Sequence, residues 1–489
     1  MGSQLVYEKV LTNLFINGKE EAGAGELPVK DPANPAVLAG VAAAASREQA
    51  LEAVAAAKAA QPAWAALGAK KRAALLDASL AALEPHQDED AQVLSRENGK
   101  VKMESIIDLI VFNVRFGLAT ALADQVDDVT VLPGPPHETT VAYVPMGVVT
   151  LIVPYNWPLA ILAATLPYAL LAGDTVIVKP PPTTPLAVAR VVQRIAEQLP
   201  AGVLNVITGF DAEVGDALVT NDDVAMVSFT GSPRGGRRIM NMASSSLTKV
   251  ALELGGNDPA IILDDAKLDD DSLNRMFQGV FDTTGQICMA IKRIYVHRSR
   301  YQEVVDGLTA NLEKTVLGYG LTEGTTMGPL NTAAQRDFVT GLVEEARAAG
   351  AEVREFGELP TEEGLRDGFF MRPSLVLDPD PTLRVVTEEQ FGPTVPIIPF
   401  DDEAEAIAAA NDTWAGLCSS VWTEDPERAV AVGSQLSAGY IFVNNHGPAW
   451  LDQRAPFGGV KGSGMGREMG IEGLREFMST RSIALPKDD

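Results

Sequence analysis

The chain has 489 residues and carries 39 basic against 65 acidic side chains, a formal charge of −26 at pH 7. That balance argues against nucleic acid or an anionic membrane as a partner, and the length excludes a single compact core, so two or three domains are expected. Two cysteines, Cys288 and Cys418, and four histidines, His86, His137, His297 and His446, lack metal-ligand spacing, so no zinc or iron–sulfur centre is expected.

From the start, Met1 to Lys9 shows no basic segment followed by an apolar run. The longest apolar stretch, Leu159 to Gly173, contains proline and is short for a membrane span, so a cytoplasmic protein is expected. Residues 46–84 are alanine-rich, with leucine and valine at helical spacing and a break near Gly68; they read as two amphipathic helices, the first capped by Ser46. Between Asp127 and Pro145, two extended runs flank Pro133-Gly134-Pro135-Pro136, which predicts a projecting hairpin. Strands are predicted at Gly147 to Val153, Thr175 to Val178, Val203 to Thr208 and Ala225 to Thr230. A second series is predicted at Ala260 to Leu263, Arg293 to His297, Thr394 to Pro399, Ser419 to Trp422 and Tyr440 to Asn444. Strands alternating with helical stretches imply parallel sheets covered on both faces. Cys418 sits in one of these apolar runs and reads as a packed core thiol. The tail, Ser479 to Leu485, alternates again as a strand.

Two segments carry potential chemistry. Leu252-Glu253-Leu254-Gly255-Gly256 offers a base, and Gly285-Gln286-Ile287-Cys288-Met289-Ala290 offers a nucleophile. A deprotonated thiol can form an acyl-enzyme, whose turnover needs a second group that activates water. No G-x-G-x-x-G opens a helix after a strand. Instead, Ser228-Phe229-Thr230-Gly231-Ser232-Pro233-Arg234-Gly235-Gly236 follows a predicted strand and would expose N–H groups at a helix N-terminus, where phosphate binds. Lys179 closes another predicted strand, at the end where α/β sheets place ligands.

These segments occur in one order with Pro154-Tyr155-Asn156-Trp157-Pro158, Glu389-Gln390-Phe391-Gly392-Pro393 and the run from Pro456 to Glu468. Together they strongly resemble the hydrolytic, non-acylating branch of the aldehyde dehydrogenase superfamily, from Leu14 to Phe477. The resemblance implies a Rossmann-like cofactor-binding domain (residues 1–126 and 146–253), a second α/β catalytic domain (254–475) and an oligomerisation element (127–145 and 476–489). In that element the hairpin and tail pair between subunits of a homodimer or homotetramer. It implies that Cys288 attacks the aldehyde, that Asn156 and the Cys288 backbone N–H hold the developing oxyanion, and that Glu253 activates the hydrolytic water. NAD is the implied cofactor, with NADP open, held by Val153, Pro154, Lys179, Gly215, Phe229, Gly231, Ser232, Leu254, Glu389 and Phe391. Pro182 stands where a glutamate often holds both ribose hydroxyls, and proline can neither accept a 2′-OH nor repel a 2′-phosphate.

Trp157, Trp450, Leu451 and Phe457 are implied as the aldehyde pocket, an apolar lining suited to an aromatic or medium-chain aldehyde. Ala160, Ala163 and Ala164 would leave room, and Asp282 would place a polar group at the mouth. Glu468 would assist proton exit, Lys461 and Arg467 would make subunit or structural ion pairs, and Asn444 would be a structural partner close to the catalytic loop. Two other readings of the residues remain: a cysteine hydrolase, for which no histidine lies in a recognisable motif, and a non-catalytic protein of the same fold.

Overall fold

The computed structural model describes residues 9–134 and 136–486. Met1 to Glu8, Pro135 of the hairpin turn and residues 487–489 of the tail lie outside the described residues, so the reading of the first residues as free of a leader is not addressed.

The first larger sheet has eight strands. Five of them run parallel, in the spatial order Lys249–Glu253, Val224–Thr230, Val148–Ile152, Thr175–Lys179 and Leu204–Val206. Val148–Ile152 and Thr175–Lys179 are β-branched and buried almost throughout, the composition of a strand covered on both faces. Chain progression reverses between Val148–Ile152 and Val224–Thr230, so a switch point opens at the carboxyl ends of these two strands. Leu14–Ile16 and Lys19–Glu21 extend one edge, and Gly464–Met465 pairs antiparallel with Lys249–Glu253 at the other. A late segment of the chain thus completes the first sheet.

The second larger sheet has seven strands, in the order Glu352–Glu355, Ser374–Leu377, Thr394–Phe400, Ile291–His297, Asp258–Ile262, Cys418–Trp422 and Tyr440–Val443; only the first is antiparallel to its neighbour. Cys418 is buried in the core, as its sequence context predicted. Leu159 to Gly173 forms buried helices at Pro158–Leu162 and Leu166–Ala172, and no helix among the described residues is long and apolar enough to cross a membrane.

The two amphipathic helices form at Arg47–Ala65 and Ala69–Leu80. Ser46 caps the first through a reciprocal pair, its Oγ accepting from Gln49 N–H while Gln49 Oε1 accepts from Ser46 N–H. Gly68 separates them at φ +78°, a conformation costly for any residue with a Cβ. The hairpin is also present, Val129–Leu132 pairing antiparallel with His137–Pro145. The tail, Met478–Pro486, lies against His137–Pro145 of its own chain, in register from Met478 opposite Pro145 to Pro486 opposite His137, so hairpin and tail form one three-stranded sheet within the subunit. Among the described residues the tail is an edge strand of that sheet, paired on one side only.

Candidate active site

Glu253 ends its strand at the carboxyl edge of the first sheet, while Cys288 lies in the loop entering Ile291–His297 of the second. Both face a cavity of about 330 Å³ that Asn156, Trp157, Thr230, Leu254, Phe457 and Glu468 also line.

The paired glycines after Leu254 have separate steric reasons. A Cβ on Gly255 would overlap the Glu389 carboxyl, and one on Gly256 would lie 2.7 Å from the Cys288 carbonyl oxygen. Glu389 Oε1 accepts from Gly256 N–H at 3.1 Å. Gly285 has φ +71°, and a Cβ there would overlap Gly392 O. Segments far apart in sequence are therefore pressed backbone to backbone around the thiol.

The loop before Cys288 is strained and braced. Thr283 and Thr284 have φ of +53° and +56°, unusual for β-branched residues. Thr283 N–H donates to Glu104 Oε1 at 2.5 Å and Thr283 Oγ1 accepts from Trp157 Nε1 at 3.0 Å, while Thr284 Oγ1 donates to Gly328 O. Gln286 Oε1 accepts from Asn331 N–H at 3.0 Å, and the Gln286 carbonyl accepts one hydrogen of Asn156 Nδ2 at 2.9 Å. The second Nδ2 hydrogen leaves Asn156 one more donor on the cavity wall.

Burial pushes the Cys288 thiol up to about 12, against which the nearby Lys292 ammonium pulls down. Burial also raises Glu253 well above the ordinary carboxyl value, and the Glu468 charge adds to that. The Arg467 charge and a backbone hydrogen bond from Gly459 oppose that rise, and Gly458 leaves the space beside Oε1, since a Cβ there would lie 2.7 Å from it. Burial lifts Glu468 to about 7 and Arg115 opposes the rise. Burial thus favours the protonated thiol, with the Glu253 carboxyl on the same cavity able to exchange its proton.

At the switch point, Val153 and Pro154 follow the central strand, Phe229 lies near the end of its neighbour and Gly231 follows it. Ser232 caps Pro233–Ala243, its Oγ accepting from Gly235 N–H, and Cβ atoms on Gly231 or Gly235 would lie 2.6 and 2.7 Å from the Phe229 ring. These glycines let the Phe229 ring pack against the turn at a helix N-terminus, an end whose backbone N–H groups suit a phosphate group. Lys179 is buried at the end of its strand and pairs with Asp211. Pro182 is half-buried, and Gly215 faces open space from the Asp211–Val219 helix. Phe391 adopts φ +49° and meets the Tyr155 ring edge-on at 6.0 Å. The residues present thus fit a dinucleotide, with a helix N-terminus suited to phosphate, a buried cation and the anchored carboxyl of Glu389 around one crevice.

Of the four pocket residues expected, Trp157 and Phe457 line the cavity and Trp450 and Leu451 do not. Gly447, at φ +100°, starts the short Pro448–Trp450 turn; Pro448 and Ala449 reach the cavity, while Trp450 is 43% exposed over the Arg275 guanidinium and Leu451 packs in the core. Ala160 lines the cavity, whereas Ala163 and Ala164 are buried beneath it. Asp282 reaches the wall, and burial together with the Glu104 charge raises it to about 8. Lys461 and Arg467 donate to backbone carbonyls within the chain, Lys461 to Asn411 O at 2.8 Å and Arg467 to Gly459 and Gly466. Asn444 has a structural role, pairing both ways with the Thr423 backbone.

Sequence reasoning missed one wall altogether. Met103, Ile107, Val111 and Arg115 lie four residues apart on the Lys102–Thr120 helix and all line the cavity; that spacing was the available signal. Arg115 Nε donates to Gln453 Oε1 and Nη1 to Ala160 O, both at 2.7 Å. Lys292 was also missed; it donates to Ile287 O at 2.5 Å and stands 5.7 Å from the Phe391 ring.

A doubly wound sheet whose switch point opens on a cavity with a buried thiol and paired carboxyl groups defines an α/β oxidoreductase of the thiol-bearing kind. The aldehyde dehydrogenase family profile matches residues 19–483, and the chain belongs to that family. It is similar to a phenylacetaldehyde dehydrogenase of Pseudomonas fluorescens, 36% identical with 85% of this chain and 83% of the relative covered. Among solved structures it is similar to betaine aldehyde dehydrogenase of Staphylococcus aureus in complex with NAD+ (TM-score 0.91, 33% identity, 96% and 94% of the two chains covered). An NADP-dependent enzyme of E. coli is comparably similar (TM-score 0.93, 32% identity, 98% of each chain covered).

Proposed function

We propose that this aldehyde dehydrogenase converts an aromatic or medium-chain aliphatic aldehyde to the free carboxylic acid through Cys288, Glu253 and Asn156. The observation that carries this reading is the convergence of a thiol, a carboxyl raised by burial and an amide donor on one largely apolar cavity. Glu253 takes the thiol proton, and the Cys288 thiolate adds to the aldehyde carbon. Asn156 Nδ2 and the Cys288 backbone N–H stabilise the oxygen as it becomes negative, each fixed donor contributing about 3 kcal/mol. NAD, with NADP the alternative, supplies the hydride acceptor when bound. Val153, Pro154, Gly231 and Ser232 would line its phosphates, Lys179, Pro182 and Gly215 its adenosine side, and Leu254, Glu389 and Phe391 its nicotinamide side. With the hydride gone, Cys288 carries a thioester. Before deacylation the thiol proton passes from Glu253 to Glu468 and on to solvent; the Glu253 carboxylate so regained deprotonates the attacking water, and Cys288 leaves as thiolate.

Met103, Ile107, Val111, Trp157, Ile161 and Phe457 support the apolar substrate class, as does similarity to a relative named for phenylacetaldehyde. We further propose the division into a cofactor domain (1–126, 146–253), a catalytic domain (254–475) and an oligomerisation element (127–145, 476–489). Exposed Val129, Val131, Leu132, Ile483 and Leu485 on the three-stranded sheet support a homodimer or homotetramer built there. The deciding experiment follows reduced nicotinamide by absorbance over an aldehyde panel with NAD and NADP separately. Turnover that favours phenylacetaldehyde or hexanal and disappears in Cys288→Ala is expected; full activity in that variant, or no turnover with any aldehyde, would sink the assignment.

A further inference from the structure

We propose that Asp211 is the residue that selects against a 2′-phosphate on the cofactor, an inference that rests on the dinucleotide reading above. In doubly wound sheets the end of the second strand from the phosphate-binding turn lies beside the adenosine ribose, and an acidic residue there accepts from the 2′-OH. In this sheet that strand is Thr175–Lys179, and it ends in a lysine followed by Pro180, Pro181 and Pro182, none of whose side chains can accept from a hydroxyl or repel an anion. The missing carboxylate arrives from elsewhere. Asp211 opens the helix that follows the third parallel strand, Leu204–Val206, and its Oδ1 reaches the Lys179 ammonium at the end of the second.

The two partners differ sharply in exposure, with the Lys179 side chain at 3% and the Asp211 side chain at 64%. The cation is thus sunk in the sheet, while the carboxylate reaches solvent at the carboxyl ends of the parallel strands. Lys179 fixes one carboxylate oxygen and leaves Oδ2 without a hydrogen bond among the described residues, free to accept from a ribose hydroxyl. A 2′-phosphate in the same place would set two anions against each other, with the single nearby ammonium already committed to Asp211.

The test uses adenosine probes that carry no nicotinamide, so that binding is read without turnover. The full chain is titrated calorimetrically with ADP and with 2′,5′-ADP, as wild type, Asp211→Asn and Asp211→Glu. Wild type should bind ADP at least tenfold more tightly. Asp211→Asn should narrow that ratio at least fivefold, chiefly by tighter binding of 2′,5′-ADP, and Asp211→Glu should restore it. The NAD to NADP ratio of kcat/KM should move the same way. A ratio within twofold of wild type in Asp211→Asn, or a wild type that prefers 2′,5′-ADP, overturns the role of Asp211 while leaving the dinucleotide site standing. Failure of wild type to bind ADP, 2′,5′-ADP and NAD overturns the dinucleotide reading, and this inference with it.

Discussion

The Glu468 charge is, after burial itself, the strongest influence holding Glu253 in its protonated form. The two carboxyl groups come from the middle of the chain and from near its end. Glu253 closes a strand of the first sheet, whereas Glu468 is fixed by reciprocal 2.8 Å backbone hydrogen bonds with Phe457. Both line the cavity that holds Cys288. Such a pair loses its protons in sequence, which suits a site that must accept one from a thiol and another from water.

The pH dependence follows from these directions. Deacylation needs the Glu253 carboxylate, so kcat should rise as pH climbs through its raised value. Glu468→Gln removes a neighbouring negative charge, and the acidic limb of the kcat profile should move to lower pH; an unmoved limb would show that the two groups titrate independently. For stability the sign is opposite. Glu468, at about 7 in the fold, stabilises the protein while protonated, fully below its ordinary value, and this contribution is lost as pH rises through 7. The denaturation midpoint of wild type should therefore fall more between pH 5 and 8 than that of Glu468→Gln.

Glu253→Gln should lower steady-state turnover by about 100-fold, the order expected for removing a general base. A first-turnover burst of reduced nicotinamide should survive if deacylation is the step most dependent on it. Stopped-flow absorbance reads both quantities, and loss of the burst would place the main role of Glu253 in thiol activation.

Asn156→Ala should reduce kcat by about 10²–10³-fold, since a preorganised oxyanion donor is lost. Because Asn156 also donates to the Gln286 carbonyl, the melting temperature of Asn156→Ala, measured beside its kinetics, separates loop support from charge stabilisation. Equal KM and kcat for Asn156→Ala and wild type would remove Asn156 from the mechanism.

Gly255→Ala tests the steric account of the paired glycines. The added methyl would displace Glu389, which also accepts from Gly256 N–H, and a displacement near 1 Å in such a site costs about 100-fold. The expected result is a raised KM for the cofactor or a lowered kcat, measured at saturating aldehyde, with an unchanged melting temperature. Unaltered cofactor kinetics would contradict the assignment of Glu389.

Much of the fold was legible because its signals are local. The strand pattern near Val148–Ile152, the Ser46 cap and the break at Gly68 each follow from composition and backbone freedom over a few residues. The thiol, the carboxyl and the amide donor were legible as motifs. The far wall of the cavity was not, because Met103, Ile107, Val111 and Arg115 belong to a helix that reads as ordinary amphipathic structure until it is packed across the cavity. Trp450 shows the converse, since its turn points it outward over Arg275.

By itself the sequence determined the alternating α/β architecture, the family and the residues able to do covalent chemistry, since hydrophobic periodicity and short motifs are written along the chain. Only the tertiary structure decided which of these groups share a cavity and which carboxyls are raised by burial. It also decided that the tail closes onto its own hairpin, and that Asp211 stands beside Lys179, 32 residues away. Burial and proximity arise from the packing of distant segments, which no local pattern records.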